Sequence, residues 1–252
     1  MTTVVFVRPP LSSAIMSPEV VVVLALATFA AFVASSAVGL GGSLVLVPTL
    51  VIAVGPKQGV ALAALLLACN NVVKVFAYRA TLPFKGAGVV LVCTILGAAT
   101  GASLLTAVSE TIVVSAVLVS LACSLVLEQF ELSKARKRSA PIFALASGAL
   151  SGFSGTSGPL KGIAVKNLGL DRMFTVGAAS IVSLGGDLTK TAVFTEAGLY
   201  GGDAWAVAVL AVPLMLAGTF TGRRLTRWLG DRRWSAVFWV TMVGYSARLL
   251  LA

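Results

Sequence analysis

Residues 37–48 read AVGLGGSLVLVP, a run of closely spaced glycines within apolar sequence that ends at Pro48. In a soluble enzyme such a run holds a phosphate, whereas inside a membrane it interrupts a helix. The dinucleotide-binding pattern needs glycine at its first, third and sixth positions, and the sixth position here is Leu44. The next acidic residue is Glu110, and the chain has no Gly-Lys-Ser or Gly-Lys-Thr sequence. The phosphate interpretation therefore fails, and the membrane interpretation is favoured.

The composition is typical of a membrane protein. Hydrophobic residues make up 58% of the chain and charged residues 11%, against about 25% charged residues in a soluble domain. The mean hydropathy is +1.00. Residues 20–56, 86–109 and 204–222 carry no charge, and a helix needs about 20 apolar residues to cross a bilayer. We therefore expect an all-α, polytopic transmembrane protein.

The residue types present exclude several kinds of chemistry. The chain has no histidine, and Cys69, Cys93 and Cys123 stand alone without metal-ligand spacing. No metal, cofactor or enzymatic activity is expected. The net charge of +10 is explained by the basic cytoplasmic loops of membrane proteins, so no nucleic-acid partner is expected.

The glycine-rich stretch occurs twice. Moving the sequence by 116 positions brings Gly39 onto Gly155, Gly42 onto Gly158, Asn71 onto Asp187 and Lys74 onto Lys190. After a small insertion, the later pair Gly97 and Gly101 corresponds to Gly218 and Gly222. These ordered matches predict an extracytoplasmic segment 1–18, a first transmembrane repeat 19–128, a basic cytoplasmic linker 129–140 and a second transmembrane repeat 141–252.

Each repeat is predicted to contain five hydrophobic helices. Their expected limits are 19–38, 42–54, 58–79, 86–106 and 110–128, then 141–153, 159–169, 173–195, 203–223 and 233–251. Threading these helices through the membrane places thirteen basic residues on one side and three on the other, and the more basic side is cytoplasmic. Both termini are then extracytoplasmic, and the expected location is the inner membrane of a bacterium. Because each repeat has an odd number of crossings, the two repeats run in opposite directions.

Inverted repeats are typical of secondary transporters, whose substrate site lies near the midplane beside broken helices. The two glycine stretches are predicted to be such breaks, with backbone N–H groups that face the interior. The substrate-binding residues predicted there are Gly39, Gly41, Gly42, Ser43, Gly155, Thr156, Ser157 and Gly158. The short helices 42–54 and 159–169 favour half-helices, although full spans are left open. The alternative for glycines is close helix packing, which is the interpretation we keep for the two later glycine pairs.

Lysines inside apolar helices mark the other part of the predicted site. A lysine at a helix centre costs about 2.5–3.5 kcal/mol on insertion, so a partner or a function is expected for Lys74 and for its repeat mate Lys190. We predict that both bind the substrate. The alternatives are that Lys190 pairs with Asp187, three residues earlier, and that Lys74 extends toward the cytoplasmic surface.

Further hydrogen-bond donors lie close to these lysines in the sequence. Lys161 directly follows the second glycine stretch, and it either strengthens an anion site at a helix N-terminus or reaches the outer surface. Asn70 and Asn71 provide additional donors in the first repeat. Because nearly all of these groups donate hydrogen bonds or carry positive charge, the set favours a small oxyanion.

At the two glycine motifs the chain resembles the sulfite exporter TauE/SafE family, also called the toluenesulfonate uptake permeases. Members show two copies of a glycine-rich motif followed by proline, which are Gly39–Pro48 and Gly152–Pro159 here. The resemblance extends from about residue 20 to the end of the chain. It implies transport of sulfite, sulfonates or related organic anions. The second copy departs from the commoner pattern, because Pro159 directly follows Gly158, and this leaves the exact substrate open.

The transport direction predicted is export, by alternating access. An interior-negative potential drives an anion outward by about 2.3 kcal/mol per charge per 100 mV, so export needs no coupling ion. Asp187 is the one buried group able to carry a coupled proton or to form an ion pair, and a Lys190 partner holds it ionised. A passive anion channel and an assembly scaffold are the alternative functions. The expected partners are a small anionic substrate and the lipid bilayer, and a homodimer is left open.

Overall fold

The computed structural model describes residues 22, 25–26, 28–33, 42–129, 139–201 and 204–222. Within these residues the protein is all-helical and contains no strand. The helices are α1 (Gly42–Val54), α2 (Pro56–Ala77), α3 (Phe84–Ala107), α4 (Glu110–Gln129), α5 (Ala140–Ser154), α6 (Gly158–Lys166), α7 (Arg172–Glu196) and α8 (Ala204–Gly222). Residues 28–33 are also helical. The predicted helical fold is confirmed, while the predicted last helix and most of the basic linker lie outside the described residues.

Glycine and proline set two of the helix boundaries. Gly55 follows α1 with a φ of 103°, and Pro56 occupies the first turn of α2, where its missing N–H is not needed. α6 ends at Lys166, so the predicted end at residue 169 is wrong. The reason is that Gly169 has a φ of 65° and donates its N–H to the Lys166 carbonyl at 3.0 Å. A left-handed glycine of this kind closes a helix.

Among the described residues, three helical segments are long and apolar enough to cross a membrane. They are Pro56–Phe76 in α2, Gly86–Ala107 in α3 and Ala204–Gly222 in α8. Large apolar side chains are exposed on the outer faces of these helices, among them Phe76, Val89, Val209, Leu210 and Phe220. An exposed apolar surface of this extent suits a lipid environment. The class predicted from composition, a polytopic helical membrane protein, is confirmed.

α3 and α5 pack backbone against backbone. A Cβ atom added to Gly97 would overlap the carbonyl oxygen of Leu145, and one added to Gly101 would overlap that of Ala149. Two glycines on α5 touch α3 in the same way, namely Gly148 and Gly152. Because residue numbers increase together along the contact, the two helices run parallel. The packing interpretation of Gly97 and Gly101 is confirmed, since only glycine permits so close an approach.

Residues 28–33 pack against α8 through an equivalent contact. A Cβ atom on Gly218 would lie 2.9 Å from the carbonyl oxygen of Phe29 and 3.3 Å from the amide nitrogen of Val33. Phe29 and Val33 precede, by 116 positions, the two α5 residues whose backbone meets Gly97. Related repeats would produce this correspondence, although the limits of the repeats stay a prediction.

α2 and α7 cross as an antiparallel pair. At one end, the turn after α2 meets the backbone of α7, because a Cβ atom on Gly177 would overlap the Thr81 carbonyl oxygen. At the other end, Tyr200 donates its hydroxyl to the Ala61 carbonyl of α2 at 3.0 Å. The first residues of α2 and α7 lie 116 positions apart, as do those of α1 and α6. The middle of this crossing holds the polar side chains described next.

Candidate functional site

The crossing of α2 and α7 carries a buried polar cluster. Asn71 on α2 donates from Nδ2 to Oδ2 of Asp187 on α7 at 2.6 Å. Both residues are 4% exposed, and Asp187 is the only buried carboxylate among the described residues. Two polar side chains that are far apart in the sequence thus meet between apolar helices.

Asp187 also holds Lys190. The Lys190 ammonium lies 2.6 Å from Asp187 Oδ1 and donates to the Ser151 hydroxyl of α5 at 3.0 Å. An aspartate and a lysine three residues apart share one helix face, so the pair forms without distortion of α7. The ion pair considered as the alternative for Lys190 is therefore present. The two carboxylate oxygens serve different neighbours, Oδ1 serving Lys190 and Oδ2 serving Asn71.

Lys161 extends from the beginning of α6 toward α7. Its ammonium donates to Ser183 Oγ at 3.1 Å. The charges of Asp187 and Lys190 both act on this ammonium. Lys161 therefore points into the protein, which agrees with the first of its two predicted positions.

Lys74 belongs to the same cluster. It is only 9% exposed, so it does not extend to the cytoplasmic surface. The charges of Lys161 and Asp187 both act on its ammonium. Lys74 lies one helical turn after Asn70 and Asn71, which places the three side chains on neighbouring parts of α2.

The charges in this cluster do not balance. Among the described residues it combines three ammonium groups with one carboxylate, those of Lys74, Lys161, Lys190 and Asp187. An excess of buried positive charge is unfavourable unless an anion offsets it. The N-terminus of α6 adds partial positive charge next to Lys161. The electrostatics of the cluster therefore favour a small anion.

The second glycine stretch separates α5 from α6. Gly155 has a φ of 76°, and a Cβ atom there would lie 2.8 Å from Val47 Cγ2 and 3.2 Å from Val60 Cγ1. Thr156 is 0% exposed and Ser157 is 4% exposed. Non-helical backbone at membrane depth is tolerated where protein surrounds it, and here α1 and α2 surround it. The predicted helix break at this stretch is confirmed.

Hydroxyl groups surround the end of α5. Ser120 on α4 donates to Ser154 Oγ at 2.7 Å. The Thr156 hydroxyl lies 3.4 Å from Ser154 Oγ. All three residues are buried, so the Thr156 hydroxyl is occupied by neighbouring protein groups.

α5 and α6 form a hairpin. Asn167, directly after α6, donates to the Ser139 hydroxyl before α5 at 3.4 Å, so the open ends of the hairpin lie together. α5 has 15 residues, a length of about 22 Å at 1.5 Å per residue. The hydrocarbon core is about 30 Å thick, so α5 is shorter than the usual spanning helix.

The remaining predicted site residues are Gly39, Gly41, Gly42, Ser43 and Gly158. Gly42 and Ser43 form the first turn of α1, and Gly42 is buried. Gly158 begins α6. Gly39 and Gly41 lie outside the described residues. The part of the first glycine stretch that the structure describes thus supplies the start of a helix.

Three hydroxyl residues in the site were missed by the sequence analysis, namely Ser151, Ser183 and Thr219. The first two accept hydrogen bonds from lysines, and Thr219 Oγ1 donates to Asn70 Oδ1 at 3.2 Å. Serine and threonine in helices usually bond to their own backbone, so an isolated hydroxyl carries little signal. Only the pairing of helices singles these residues out.

The fold and the site together define a polytopic helical membrane protein with a lysine-rich polar centre. The model of the family described as sulfite exporter TauE/SafE matches residues 24–249. The chain therefore belongs to the sulfite exporter TauE/SafE family, and the resemblance seen in the glycine motifs is confirmed. No curated protein and no solved structure gives a match. The family is one of membrane transporters, and membership implies transport of sulfur anions across a membrane.

Proposed function

We propose that the protein is a secondary transporter that exports sulfite, a sulfonate or a related small organosulfur anion across the cytoplasmic membrane. One observation carries the proposal. Two buried lysines, Lys74 and Lys190, lie together with the half-buried Lys161 and a single buried carboxylate where α2 crosses α7. A small oxyanion bound between these lysines offsets the excess positive charge, and it accepts hydrogen bonds from their ammonium groups.

The proposed binding residues divide between the two halves of the chain. Lys74 and Asn71 come from α2, while Lys190 and Lys161 come from α7 and α6. Asp187 orients Lys190 when the site is empty, because the two charged groups are 2.6 Å apart. In the second half, the backbone N–H groups at the start of α6 give the anion a further set of donors.

Alternating access fits the way these helices pack. α2 and α7 are antiparallel and correspond to each other in the two proposed repeats, 19–128 and 141–252. If one repeat rocks against the other, the cluster opens first to one side and then to the other, while its residues stay near the midplane. The deep burial of Lys190 and Asp187 supports a closed conformation as one state of this cycle.

The proposed direction follows from charge. The basic loops are assigned to the cytoplasm and both termini to the outside. The interior-negative potential then drives an anion outward by about 2.3 kcal/mol per charge per 100 mV. Export in this direction needs no coupled proton.

Transport currents from proteoliposomes on a solid support test the proposal. The liposomes are challenged with sulfite, sulfate, methanesulfonate and acetate. We expect currents for the sulfur oxyanions, and we expect these to disappear in Lys74→Ala and in Lys190→Ala. Lys166→Ala is the matched control, because Lys166 is an exposed lysine at the end of α6, and it should keep the wild-type current.

Three results would contradict parts of the proposal. Wild-type currents that persist in both lysine variants would make the lysines structural. Conductance far above carrier turnover would favour a passive anion channel. A complete lack of both current and tracer flux for every anion would reject anion transport.

A further inference from the structure

The side-chain amide of Asn70 has two polar atoms, and among the described residues only one of them, Oδ1, has a hydrogen-bond partner. Asn70 is 0% exposed. Its Oδ1 accepts a hydrogen bond from the Thr219 hydroxyl of α8 at 3.2 Å. Its Nδ2 is buried and has no hydrogen-bond partner among the described residues. Most buried polar groups in native proteins are paired, so an exception calls for a reason.

The surroundings of Asn70 suggest the reason. Lys74 follows Asn70 by four residues on α2, so the two side chains are neighbours on one helix face. The amide N–H of Asn70 needs an acceptor, and the neighbouring ammonium group adds positive charge beside it. The charge of Lys161 also acts on Lys74, which makes this side of the cluster more positive still. An oxyanion is the ligand that provides several acceptors at once.

We propose that Asn70 Nδ2 donates directly to one oxygen of the transported sulfur oxyanion, and that Thr219 holds the amide in the orientation that makes this possible. The inference rests on the proposed function. Sulfite and the sulfonates carry three oxygens around one sulfur. One oxygen takes the Asn70 N–H, and the others remain available to the lysines.

Asn70 also sets where the anion binds. The position equivalent to Asn70 in the second half is Gly186, which has no side chain. On that side, Lys190 is already bound to Asp187 and Ser151. The oxyanion therefore binds off the centre of the crossing, toward α2 and α8.

Thr219 acts as a positioning residue. Its hydroxyl donates to Oδ1 and so keeps Nδ2 pointing away from α8. Without that hydroxyl, the amide is free to turn over, and Oδ1 would then face the anion. An oxygen in that place repels an oxyanion, so specificity depends on the threonine as well as on the asparagine.

Binding of sulfite and methanesulfonate to the purified full chain in nanodiscs tests the inference, by calorimetry and by thermal unfolding. In Asn70→Leu we expect the dissociation constant to rise about 10- to 100-fold, which is the range for a hydrogen bond to a charged group. The unfolding temperature without anion should stay close to that of the wild type, because the loss of the Thr219 hydrogen bond is offset by the removal of an unpaired buried donor. Asn70→Asp, which has the same shape but presents only acceptors, should abolish binding.

Thr219 provides a second and independent test. Thr219→Val should weaken sulfite binding, and Thr219→Ser should restore it, since serine keeps the hydroxyl. Thr100→Val is the matched control, because the Thr100 hydroxyl bonds to the Gly97 carbonyl of its own helix at 2.8 Å. This control should bind sulfite as the wild type does.

The outcomes separate this inference from the proposed function. Wild-type affinity in Asn70→Leu and in Thr219→Val would overturn the inference while leaving the transporter proposal intact. No anion binding by the wild type would reject the proposed function itself. If Asn70→Leu does not fold, unchanged affinity in Asn70→Asp or in Thr219→Val overturns the inference equally well.

Discussion

Asn71 and Asp187 are 116 residues apart in the sequence, and a hydrogen bond of 2.6 Å joins them at the crossing of α2 and α7. They are also the two residues that the sequence repeat pairs with each other. Residues related by a two-fold axis touch one another only beside that axis. The bond is therefore expected where the proposed halves meet, with the lysine cluster around it.

Replacing Asp187 should expose the imbalance of charge in the cluster. Asp187→Asn leaves the Lys190 ammonium buried without a carboxylate, which should lower the stability by about 3–5 kcal/mol. The double variant Asp187→Asn with Lys190→Met should recover much of this loss, because it removes the isolated charge as well. Unfolding temperatures of purified protein in detergent measure both effects. A double variant no more stable than the single one would show that the ion pair is not the source of the loss.

Gly155 should be more sensitive to substitution than another left-handed glycine. Gly155→Ala places a Cβ atom 2.8 Å from Val47 Cγ2, in addition to about 1–2 kcal/mol for the left-handed backbone. Gly198 has a φ of 66° with nothing within 4 Å of an added Cβ. The loss of stability in Gly198→Ala therefore measures only the cost of a left-handed backbone at a residue other than glycine. The Gly155 variant should unfold at the lower temperature. Adding Val47→Ala to it should reduce the difference, and equal unfolding temperatures for the two single variants would contradict the proposed contact.

Two glycines of α3 should respond to alanine in opposite directions. Gly101→Ala forces α3 away from the Ala149 backbone of α5 and should destabilise the protein. Gly88 has nothing within 4 Å of an added Cβ, so Gly88→Ala should stabilise α3 by up to about 1 kcal/mol through helix propensity. Thermal unfolding of both variants beside the wild type is the measurement. Destabilisation by Gly88→Ala would argue against the open space around that position.

Because of Tyr200, the stability of the protein should fall at alkaline pH. It lies in the connection between α7 and α8, and burial raises the pKa of its phenol. The folded state therefore keeps the phenol proton that the unfolded chain loses near its ordinary pKa of about 10. Stability from this group is complete below that pH and falls as the pH rises above it.

The variant Tyr200→Phe separates this effect from general alkaline unfolding. At pH 8 it should be less stable by about 1 kcal/mol, because the bond to the Ala61 carbonyl is lost. The advantage of the wild type should shrink as the pH passes about 10. Unfolding temperatures of the wild type and of Tyr200→Phe, measured from pH 8 to above about pH 10, test this prediction. If the unfolding temperatures of the two proteins fall in parallel as the pH rises, the expected titration of Tyr200 is contradicted.

The membrane class, the positions of most of the described helices and the second glycine break could be predicted from the sequence. Each depends on neighbouring residues only. A run of apolar residues determines a helix that suits the bilayer, and Gly155 determines a break because its backbone adopts a conformation that other residues avoid. The insertion penalty likewise marked Lys74, Lys190 and Asp187 as unusual without any knowledge of their neighbours.

The hydrogen-bond partners of these residues were decided by the tertiary structure alone. Helices in a membrane are apolar on the lipid side and on the protein side, so hydropathy does not reveal which face of a helix points inward. The bonds from Lys161 to Ser183, from Lys190 to Ser151 and from Thr219 to Asn70 each join residues 22 to 149 positions apart. They depend on how the helices approach one another, which close glycine contacts set for α3 against α5 and for α7 against the turn after α2. The unpaired amide of Asn70 follows from the same packing, since its sequence neighbours give no sign of it.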